Sequence, residues 1–412
     1  MPTHRSQSTQ PKQHLIFGPP GTGKTTRLLE IVTAATKHGV PSDRIGYLAF
    51  TKRAAQEARG RARLPGSAPW FRTIHSLCFS STRMTRQRMI GRDNWRDFER
   101  AYGLQLGRAV GYEPSVEDDG LGAMLLHLYD QARIRGQTLR QRYEEAMPED
   151  VTMGEVEIFA KLYGQYKLSH GVFDFTDLLR LYMADPTALP PRLDLLIVDE
   201  AQDLSSLQWQ VVERTIRLSG AKEVYVAGDD DQAIFRWAGA DAERFLALRG
   251  TRETLSRSYR VPPAIYKLAT NVVDRIHRRQ PKEWAPRRGD DGSVGHIVDA
   301  NDVDYSEGEW LILARDNYLL NSVVEELKNN GILYIRNFAP ALPPGAMEGI
   351  RSWERIRKGC PKRGDRNAAQ KQQTQAAQKK YIGATKLPPW YEALDRLTSR
   401  DVAYLRSALR RG

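Results

Sequence analysis

Short apolar runs alternate with amphipathic segments along much of the chain. Four largely apolar runs predict strands, and the last two are of the kind that is buried on both faces of a parallel sheet. These runs are residues 15–17, 45–50, 193–198 and 224–227. Helical spacing predicts one helix over residues 24–37 and another that begins at about Lys52. Strands that alternate with helices in this way predict an α/β fold.

A long helical stretch interrupts this alternation. From about residue 80 to residue 168 the pattern is helical, charged and aromatic, without strand-like runs. We interpret residues 81–168 as a helical insertion. Residues 1–80 and 169–260 are then predicted to form one discontinuous α/β domain around that insertion.

A second, partial α/β unit is predicted over residues 261–337. Apolar runs predict strands at residues 310–314 and 332–335, and helical spacing predicts a helix over residues 319–329 between them. Gly331 is suited to end that helix.

The last segment, residues 338–412, is basic and partly of low complexity. It contains a Pro-rich turn, the run NAAQKQQTQAAQKK and a predicted helix over residues 391–410. It holds 16 Lys and Arg residues against 6 Asp and Glu residues, which is most of the net charge of +12 of the whole chain. Such a segment is either a solvated tail or a surface for a polyanion such as nucleic acid.

Composition indicates an ordinary globular protein. Hydrophobic residues make up 41% of the 412 residues and charged residues 27%. No apolar run approaches the roughly 20 residues that span a bilayer, and the amino-terminal residues lack the apolar segment of a secretory signal. The two cysteines form neither a disulfide framework nor a metal-binding spacing. We therefore expect a cytoplasmic protein without a membrane partner.

The first strand leads into GPPGTGKTT, residues 18–26, which fits the phosphate-binding pattern G-x-x-x-x-G-K-[ST]. The backbone N–H groups of such a loop hold phosphates, and the glycines allow their close approach. Lys24 would reach the β- and γ-phosphates, and the Thr25 hydroxyl would bind Mg²⁺. A Gly-rich turn that only ends a strand is the plain alternative. The predicted nucleotide-binding residues are Gly18, Pro19, Pro20, Gly21, Thr22, Gly23, Lys24, Thr25 and Thr26.

An acidic pair follows the apolar run at residues 193–198. Asp199 is placed to hold the shell of Mg²⁺, and Glu200 to orient and deprotonate the attacking water. An acidic pair at this position can also cap a helix, and we expect Asp203 to cap the helix that follows.

Further motifs distinguish among the many proteins with such a loop. DEAQD (residues 199–203), GDDDQAIFRWAGA (228–240) and LSRSYRVP (255–262) resemble motifs II, III and IV of superfamily 1 helicases of the UvrD/Rep/PcrA type. LAFTKRAAQEA (48–58) is similar to motif Ia and FRTIHSL (71–77) to motif Ib. HGVFDFTDLL (170–179) resembles the segment that precedes motif II. The motifs occur in family order, and they imply RecA-like motor domains that use ATP and Mg²⁺.

The resemblance assigns roles to individual residues. Gln232 would sense the γ-phosphate and the lytic water, Arg260 would neutralise charge on the transferred phosphoryl group, and Tyr259 would pack on adenine. Lys24 and Glu200 complete the implied catalytic set. Implied contacts to single-stranded DNA are base stacking by Trp237 and Phe50 and backbone contacts by Thr51, Thr73 and His75.

Several of these residues have structural alternatives. Phe50 ends an apolar run and fits a core position. His75 fits a structural hydrogen bond, and Trp237 a core or surface position. Asp174 and Asp177 are expected to be structural, as helix caps, because no chemistry requires them.

The chain departs from the family pattern in two places. The upstream L-N-x-x-Q-x-x-A motif, whose Gln reads adenine, has no match, so that Gln13 or a backbone group would take its place. Motif V (T-x-H-x-x-K-G-x-E) and motif VI (V-A-x-T-R) have no counterpart in residues 338–412. This favours a part of a longer protein over a divergent protein that lacks half of its second motor domain.

Two functions fit these patterns. The first is an ATP-dependent DNA helicase that moves 3′ to 5′ on single-stranded DNA and acts at single-strand/duplex junctions. The second is a DNA-stimulated ATPase or single-strand-binding switch without unwinding activity. We expect the 412 residues alone to bind nucleotide, to hydrolyse it slowly and to unwind poorly.

Overall fold

The computed structural model describes residues 10–64, 66–106, 120–305, 307–330, 332–336 and 339–340. The chain divides into two compact units, Met1–Val294 and Gly295–Gly412. The four domain segments assigned from the sequence stay a prediction.

A six-stranded sheet forms the centre of the first unit. Its strands are β1 (Lys12–Phe17), β2 (Ile45–Ala49), β3 (Phe71–Thr73), β4 (Leu195–Val198), β5 (Glu223–Gly228) and β6 (Thr251–Thr254). The strand order is β3-β2-β4-β5-β1-β6, and every neighbouring pair is parallel. In the register of β1, Leu15 lies between Val226 and Arg252. The predicted α/β fold with a parallel sheet is confirmed.

Eleven helices are described in this unit. They are α1 (Lys24–Lys37), α2 (Lys52–Ala62), α3 (Ile74–Ser81), α4 (Arg92–Tyr102), α5 (Leu121–Arg135), α6 (Leu139–Ala146), α7 (Met153–His170), α8 (Phe175–Ala184), α9 (Ser206–Ser219), α10 (Ala242–Ala247) and α11 (Pro263–Val273). Alternate strand residues point to opposite faces of the sheet. Leu15 and Val198 therefore pack with Trp209 of α9, whereas Ile16 and Ile197 pack with Leu28 of α1.

The sequence predicted the interior strands and their helices closely. Helix α1 has the predicted bounds, α2 begins at Lys52, and four strands match their apolar runs within a few residues. Strands β3 and β6, which lie at the two edges of the sheet, were not predicted. β3 has only three residues, and β6 reads TRET. Neither has the apolar run that marks an interior strand, because an edge strand is only partly covered.

Helices α4 to α7 occupy the stretch predicted as helical. Phe98, Leu125, Phe159 and Tyr163 form a separate hydrophobic cluster there. The described residues between 81 and 168 contain helices and no strand. Their helical character is confirmed.

The second unit differs from the prediction. Its described part contains α12 (Asn321–Asn329) and an antiparallel pair, β7 (Ile335–Arg336) with β8 (Ala339–Pro340). The strand predicted at residues 310–314 is wrong, since these residues pair with no strand. Leu311 and Leu313 are each more than 80% exposed. An apolar run forms a strand only where a neighbour accepts its backbone hydrogen bonds.

Of the strand predicted at residues 332–335, only Ile335 lies in a strand. The helix predicted over residues 319–329 is formed by α12 and the preceding 3₁₀ turn, Asn317–Leu320. Gly331 and the helix predicted over residues 391–410 lie outside the described residues. Within the described ranges, every helix is too short or too polar to cross a bilayer.

Candidate nucleotide and DNA site

The motif residues meet at one edge of the sheet. In a parallel sheet the carboxyl ends of all strands lie at the same edge, which is where such folds bind ligands. The residues after Phe17 of β1, Val198 of β4 and Gly228 of β5 belong to motifs I, II and III, respectively. Phe50 follows β2, and Thr73 ends β3. The fold therefore brings five separate sequence motifs to the same edge.

The phosphate-binding loop begins with Gly18, whose N–H donates to the Gly228 carbonyl. Gly21 and Gly23 have φ angles of 71° and 84°, which favour glycine. A Cβ at Gly18 would lie 2.0 Å from Cγ of Lys24. Lys24 Nζ lies across the loop and donates to the Gly18 carbonyl at 2.8 Å. The lysine is thus held over the loop that the glycines make narrow.

Helix α1 presents its amino terminus to this loop. Its N-cap is Gly23, no side chain in the described part of the chain caps it, and its first turn contains no acidic residue. Free N–H groups and a positive dipole end make such a terminus suited to an anion. Arg61 of α2 donates to Oγ1 of Thr26 at 2.9 Å. This guanidinium adds positive charge beside the loop, and the motif pattern did not point to it.

Asp199 lies directly after β4 and is buried. Its Oδ2 accepts a hydrogen bond from the Tyr47 hydroxyl at 2.6 Å, and its Oδ1 accepts one from the N–H of Glu200 at 2.9 Å. Burial, reinforced by the charge of Glu200, raises the pKa of Asp199 to about 6. A nearby cation would therefore stabilise the ionised form of this buried carboxyl.

Glu200 has a left-handed backbone, with φ of 52°. Its Oε2 accepts a hydrogen bond from Gln202 Nε2 at 3.0 Å. Burial and the Glu200 charge raise the pKa of Asp203 to about 7. Asp203 is not a helix cap, and that prediction is wrong. Ser205 caps α9 instead, because its hydroxyl accepts from the N–H of Gln208 in a capping box.

The donor set fits Mg²⁺. The Asp199 carboxylate and the Thr25 hydroxyl are hard oxygen ligands, which Mg²⁺ prefers, together with water and substrate phosphates. The described residues contain no group of three or more His, Cys, Asp or Glu side chains that could hold a metal.

Gln232 lies in the turn after β5. Its Nε2 donates to Oδ2 of Asp229, whose carboxylate is also 2.9 Å from Nζ of Lys282. Lys282 also pairs with Asp230 and Asp231, and its side chain has no exposed surface. A cavity of about 340 Å³ is lined by Gln232 together with two residues of the phosphate-binding loop and several others. The two loop residues are Pro19 and Pro20, and Tyr266, Arg279 and Trp284 also line the cavity.

Hydrogen bonds from Ser258 and Tyr259 hold the backbone at Arg260 against the phosphate-binding loop. The N–H of Tyr259 donates to the Gly21 carbonyl at 2.9 Å. The Ser258 hydroxyl donates to the Pro20 carbonyl and accepts from the N–H of Arg260. A Cβ at Gly21 would lie 2.5 Å from that of Arg260. The side chains of Tyr259 and Arg260 are exposed. Ser258 is a residue that the sequence reading missed.

Trp237 lies five residues beyond Gln232, in a short turn. An indole deep in the interior would exclude base stacking, but this side chain is 47% exposed. The ring of Phe235 lies 6.4 Å from that of Trp237 and 5.7 Å from that of Phe50. We call Phe50, Phe235 and Trp237 the aromatic row. Phe50 also packs against the core. Phe235 was not predicted as a site residue, although it lies within the motif III segment at residues 228–240.

The predicted backbone-contact residues lie at helix starts. Thr51 caps α2 and Thr73 caps α3, each accepting from a backbone N–H. The Thr51 side chain is exposed, whereas Thr73 is buried. The His75 ring packs edge-on against Phe175 at 5.8 Å, and burial lowers the pKa of His75 to about 3. His75 is therefore a neutral hydrogen-bonding group at neutral pH.

Asp174 and Asp177 are structural, as predicted. Asp174 caps α8 in a capping box with Asp177. Both carboxylates also bind Arg133 and Lys167.

The UvrD/REP helicase N-terminal domain family matches residues 3–252, more than half of the chain. The chain belongs to this family. The six-stranded parallel sheet is the motor-domain architecture that the sequence motifs implied.

Curated relatives agree with this assignment. The chain is 24% identical over 348 residues to the ATP-dependent DNA helicase PcrA of Bacillus subtilis, covering 78% of this chain and 45% of that protein. It is 28% identical over 200 residues to the ATP-dependent DNA helicase Rep of Buchnera aphidicola, covering 44% and 28%. A PcrA of Staphylococcus epidermidis is 25% identical over 302 residues, covering 67% and 40%. The chain thus spans less than half the length of these relatives.

Proposed function

We propose that the chain is the ATP-binding and DNA-gripping part of an ATP-dependent DNA helicase or translocase of the UvrD/Rep type. It couples ATP hydrolysis to 3′–5′ movement on single-stranded DNA and acts at single-strand/duplex junctions. The observation that carries this proposal is the turn after β5. Within six residues it joins Gln232, beside the phosphate-binding loop, to the exposed Trp237 of the aromatic row.

At the nucleotide, the loop N–H groups and Lys24 hold the β- and γ-phosphates. Thr25 and Asp199 would hold Mg²⁺, which would neutralise charge on the phosphates. Glu200 orients the attacking water and takes its proton. Gln232 contacts the γ-phosphate and the water, and Arg260 stabilises charge on the transferred group. Tyr259 packs on adenine.

At the DNA, the aromatic row stacks on bases without reading sequence, because every base has an aromatic face. Thr51, Thr73 and His75 contact the sugar–phosphate backbone. A change at Gln232 on hydrolysis moves the turn that holds Trp237, so that nucleotide state alters the grip on the strand.

The first test is Lys24→Ala, which removes the cation over the phosphate-binding loop. We expect ATP hydrolysis to fall by at least 100-fold, measured as phosphate release with and without single-stranded DNA. The matched control is Lys37→Ala, which removes an exposed lysine from the last turn of the same helix. A Lys24→Ala variant that hydrolyses ATP at the parent rate contradicts the assignment.

A second candidate is a DNA-stimulated ATPase or single-strand-binding switch that does not unwind. The short turn that joins Gln232 to the exposed Trp237 is sufficient for an ATPase that responds to single-stranded DNA, which supports this candidate. A strand-displacement assay run beside the ATPase assay separates the two. Stimulation of the ATPase by single-stranded DNA without displacement supports the switch, whereas robust displacement supports the helicase.

A further inference from the structure

Tyr47 lies in the middle of β2 and has no exposed surface. Its ring stacks on that of Phe71, with centroids 5.2 Å apart and planes 14° from parallel. In the register of the sheet, Tyr47 lies opposite Ile197 of β4. Asp199 follows the end of β4, two residues beyond Ile197, so that its side chain lies on the same face of the sheet as those of Ile197 and Tyr47. This register lets the buried hydroxyl reach the Asp199 carboxylate.

The hydroxyl completes a pair of restraints on that carboxylate. Tyr47 donates to Oδ2 at 2.6 Å, and the Glu200 N–H donates to Oδ1 at 2.9 Å. Two donors on different oxygens fix the plane of the carboxylate. Each oxygen has a second lone pair, which remains available to water or a cation.

We propose that Tyr47 is a positioning residue, which orients the Asp199 carboxylate toward the Mg²⁺ of a bound nucleotide. The inference rests on the proposed function of the nucleotide site. None of the sequence motifs assigns a role to this tyrosine, and its hydroxyl is the one side-chain donor recorded on Asp199 among the described residues.

Hydrogen-bond partners behind a metal ligand matter for metal affinity, and their loss typically costs 10- to 100-fold. Tyr47→Phe keeps the ring and its stacking on Phe71 and removes only the hydroxyl. The Asp199 carboxylate then loses one of its two restraints and can turn away from the cation. We expect the Mg²⁺ concentration for half-maximal nucleotide binding to rise about 10-fold. Nucleotide affinity in excess EDTA stays at the parent value.

The experiment titrates free Mg²⁺ into the full chain with a fluorescent, non-hydrolysable ATP analogue and records its fluorescence anisotropy. The matched control is Tyr182→Phe. Tyr182 is equally buried, and its hydroxyl pairs with Thr215 at 3.1 Å and not with Asp199. This control removes a buried phenolic hydroxyl from the same domain and leaves the Mg²⁺ midpoint unchanged. Thermal unfolding of both variants confirms that they are folded.

The outcomes separate this inference from the function on which it rests. A Tyr47→Phe variant with the parent Mg²⁺ midpoint overturns the role of Tyr47 and leaves the nucleotide site intact. An equal shift in Tyr182→Phe also overturns it, because the effect would then be general. A parent chain that binds no nucleotide at any Mg²⁺ concentration overturns the proposed function and, with it, this inference.

Discussion

In the proposed mechanism, single residues at the strand ends connect the nucleotide site to a surface that binds DNA. The aromatic row is the clearest case, because Phe50, Phe235 and Trp237 come from two separate loops and form successive ring contacts. Phe50 and Phe235 are partly buried, whereas Trp237 at the end of the row is exposed. The Trp237 indole is half exposed and therefore able to contact a partner.

Trp237→Ala tests this surface. Stacking on a base is worth about 1–3 kcal/mol, so affinity for single-stranded DNA should fall by roughly 5- to 150-fold. Stimulation of the ATPase by DNA should fall with it, while ATPase without DNA stays at the parent rate. Anisotropy with a labelled oligonucleotide measures the affinity. Trp310→Ala, which removes another exposed indole, is the control. Equal DNA affinity in parent and Trp237→Ala would refute the stacking role.

Ser258 is a second residue with a measurable role. Its buried hydroxyl bonds to the Pro20 carbonyl and to the N–H groups of Arg260 and Val261. Ser258→Ala leaves these backbone groups without that partner, at a cost of about 1–3 kcal/mol. We expect kcat for ATP to fall about 10-fold with a smaller change in KM, because the role proposed for Arg260 is to stabilise the transferred phosphoryl group.

Steady-state ATPase kinetics measure both constants. Ser256→Ala is the control, since Ser256 is exposed and two residues away. A Ser258→Ala variant that changes KM alone would show that the hydroxyl serves nucleotide binding and not Arg260.

At the scale of elements, a buried ionic cluster joins α5, α7 and the start of α8. Arg133 and Lys167 bind Asp174 and Asp177, and all but Asp177 are more than 90% buried as side chains. Burial alone would raise the pKa of Asp174, but Arg133 and Lys167 hold it well below its usual value. Burial and the Asp174 charge raise the pKa of the neighbouring Asp130 to about 7. The negative charge of Asp174 is therefore needed to pair with the buried Arg133 and Lys167.

Asp174→Asn tests the cluster. Removing one charge from a buried pair typically costs about 3–5 kcal/mol, so the free energy of unfolding at pH 7 should fall by about 3 kcal/mol. A carboxyl whose pKa is lower in the folded state stabilises the fold above its unfolded pKa, near 3.8. That stabilisation is lost as pH falls further, so the difference between parent and variant should shrink below about pH 4.

Urea unfolding at a series of pH values measures this difference. Glu57→Gln, which breaks an exposed pair with Arg61 on one helix, should change stability by less than about 0.5 kcal/mol. A constant difference between parent and Asp174→Asn at all pH values would contradict the role of the charge.

At the scale of the molecule, the sequence predicted what depends on local pattern. Buried interior strands such as β4 show continuous apolar runs, and the phosphate-binding loop has a fixed spacing of glycines, so both were visible. Contacts between distant segments were not. Lys282 has no motif of its own, yet it lies buried among Asp229, Asp230 and Asp231. In the sequence, Tyr47 is only one position of an apolar run. Its neighbouring residues do not indicate that β4, with Asp199 at its end, lies beside it.

The strand predicted at residues 310–314 does not form, and the reason is also a contact between distant segments. Its apolar pattern describes one side of a pairing, and the described part of the second unit supplies no partner strand to it. Local composition indicates that a segment is able to form a strand, whereas the sheet decides whether it does.

The parallel sheet also determines where a label can be attached to the protein. Because every motif lies at the carboxyl ends of the strands, the opposite rim is free of them and suits attachment chemistry. Lys222, just ahead of β5, has an 80% exposed side chain on that rim. Of the two cysteines, Cys78 is buried and would compete little for a reagent, and Cys360→Ser would remove the other thiol. Lys222→Cys would carry a dye or a surface tether on this rim. The label would then lie away from the proposed nucleotide and DNA sites at the opposite rim.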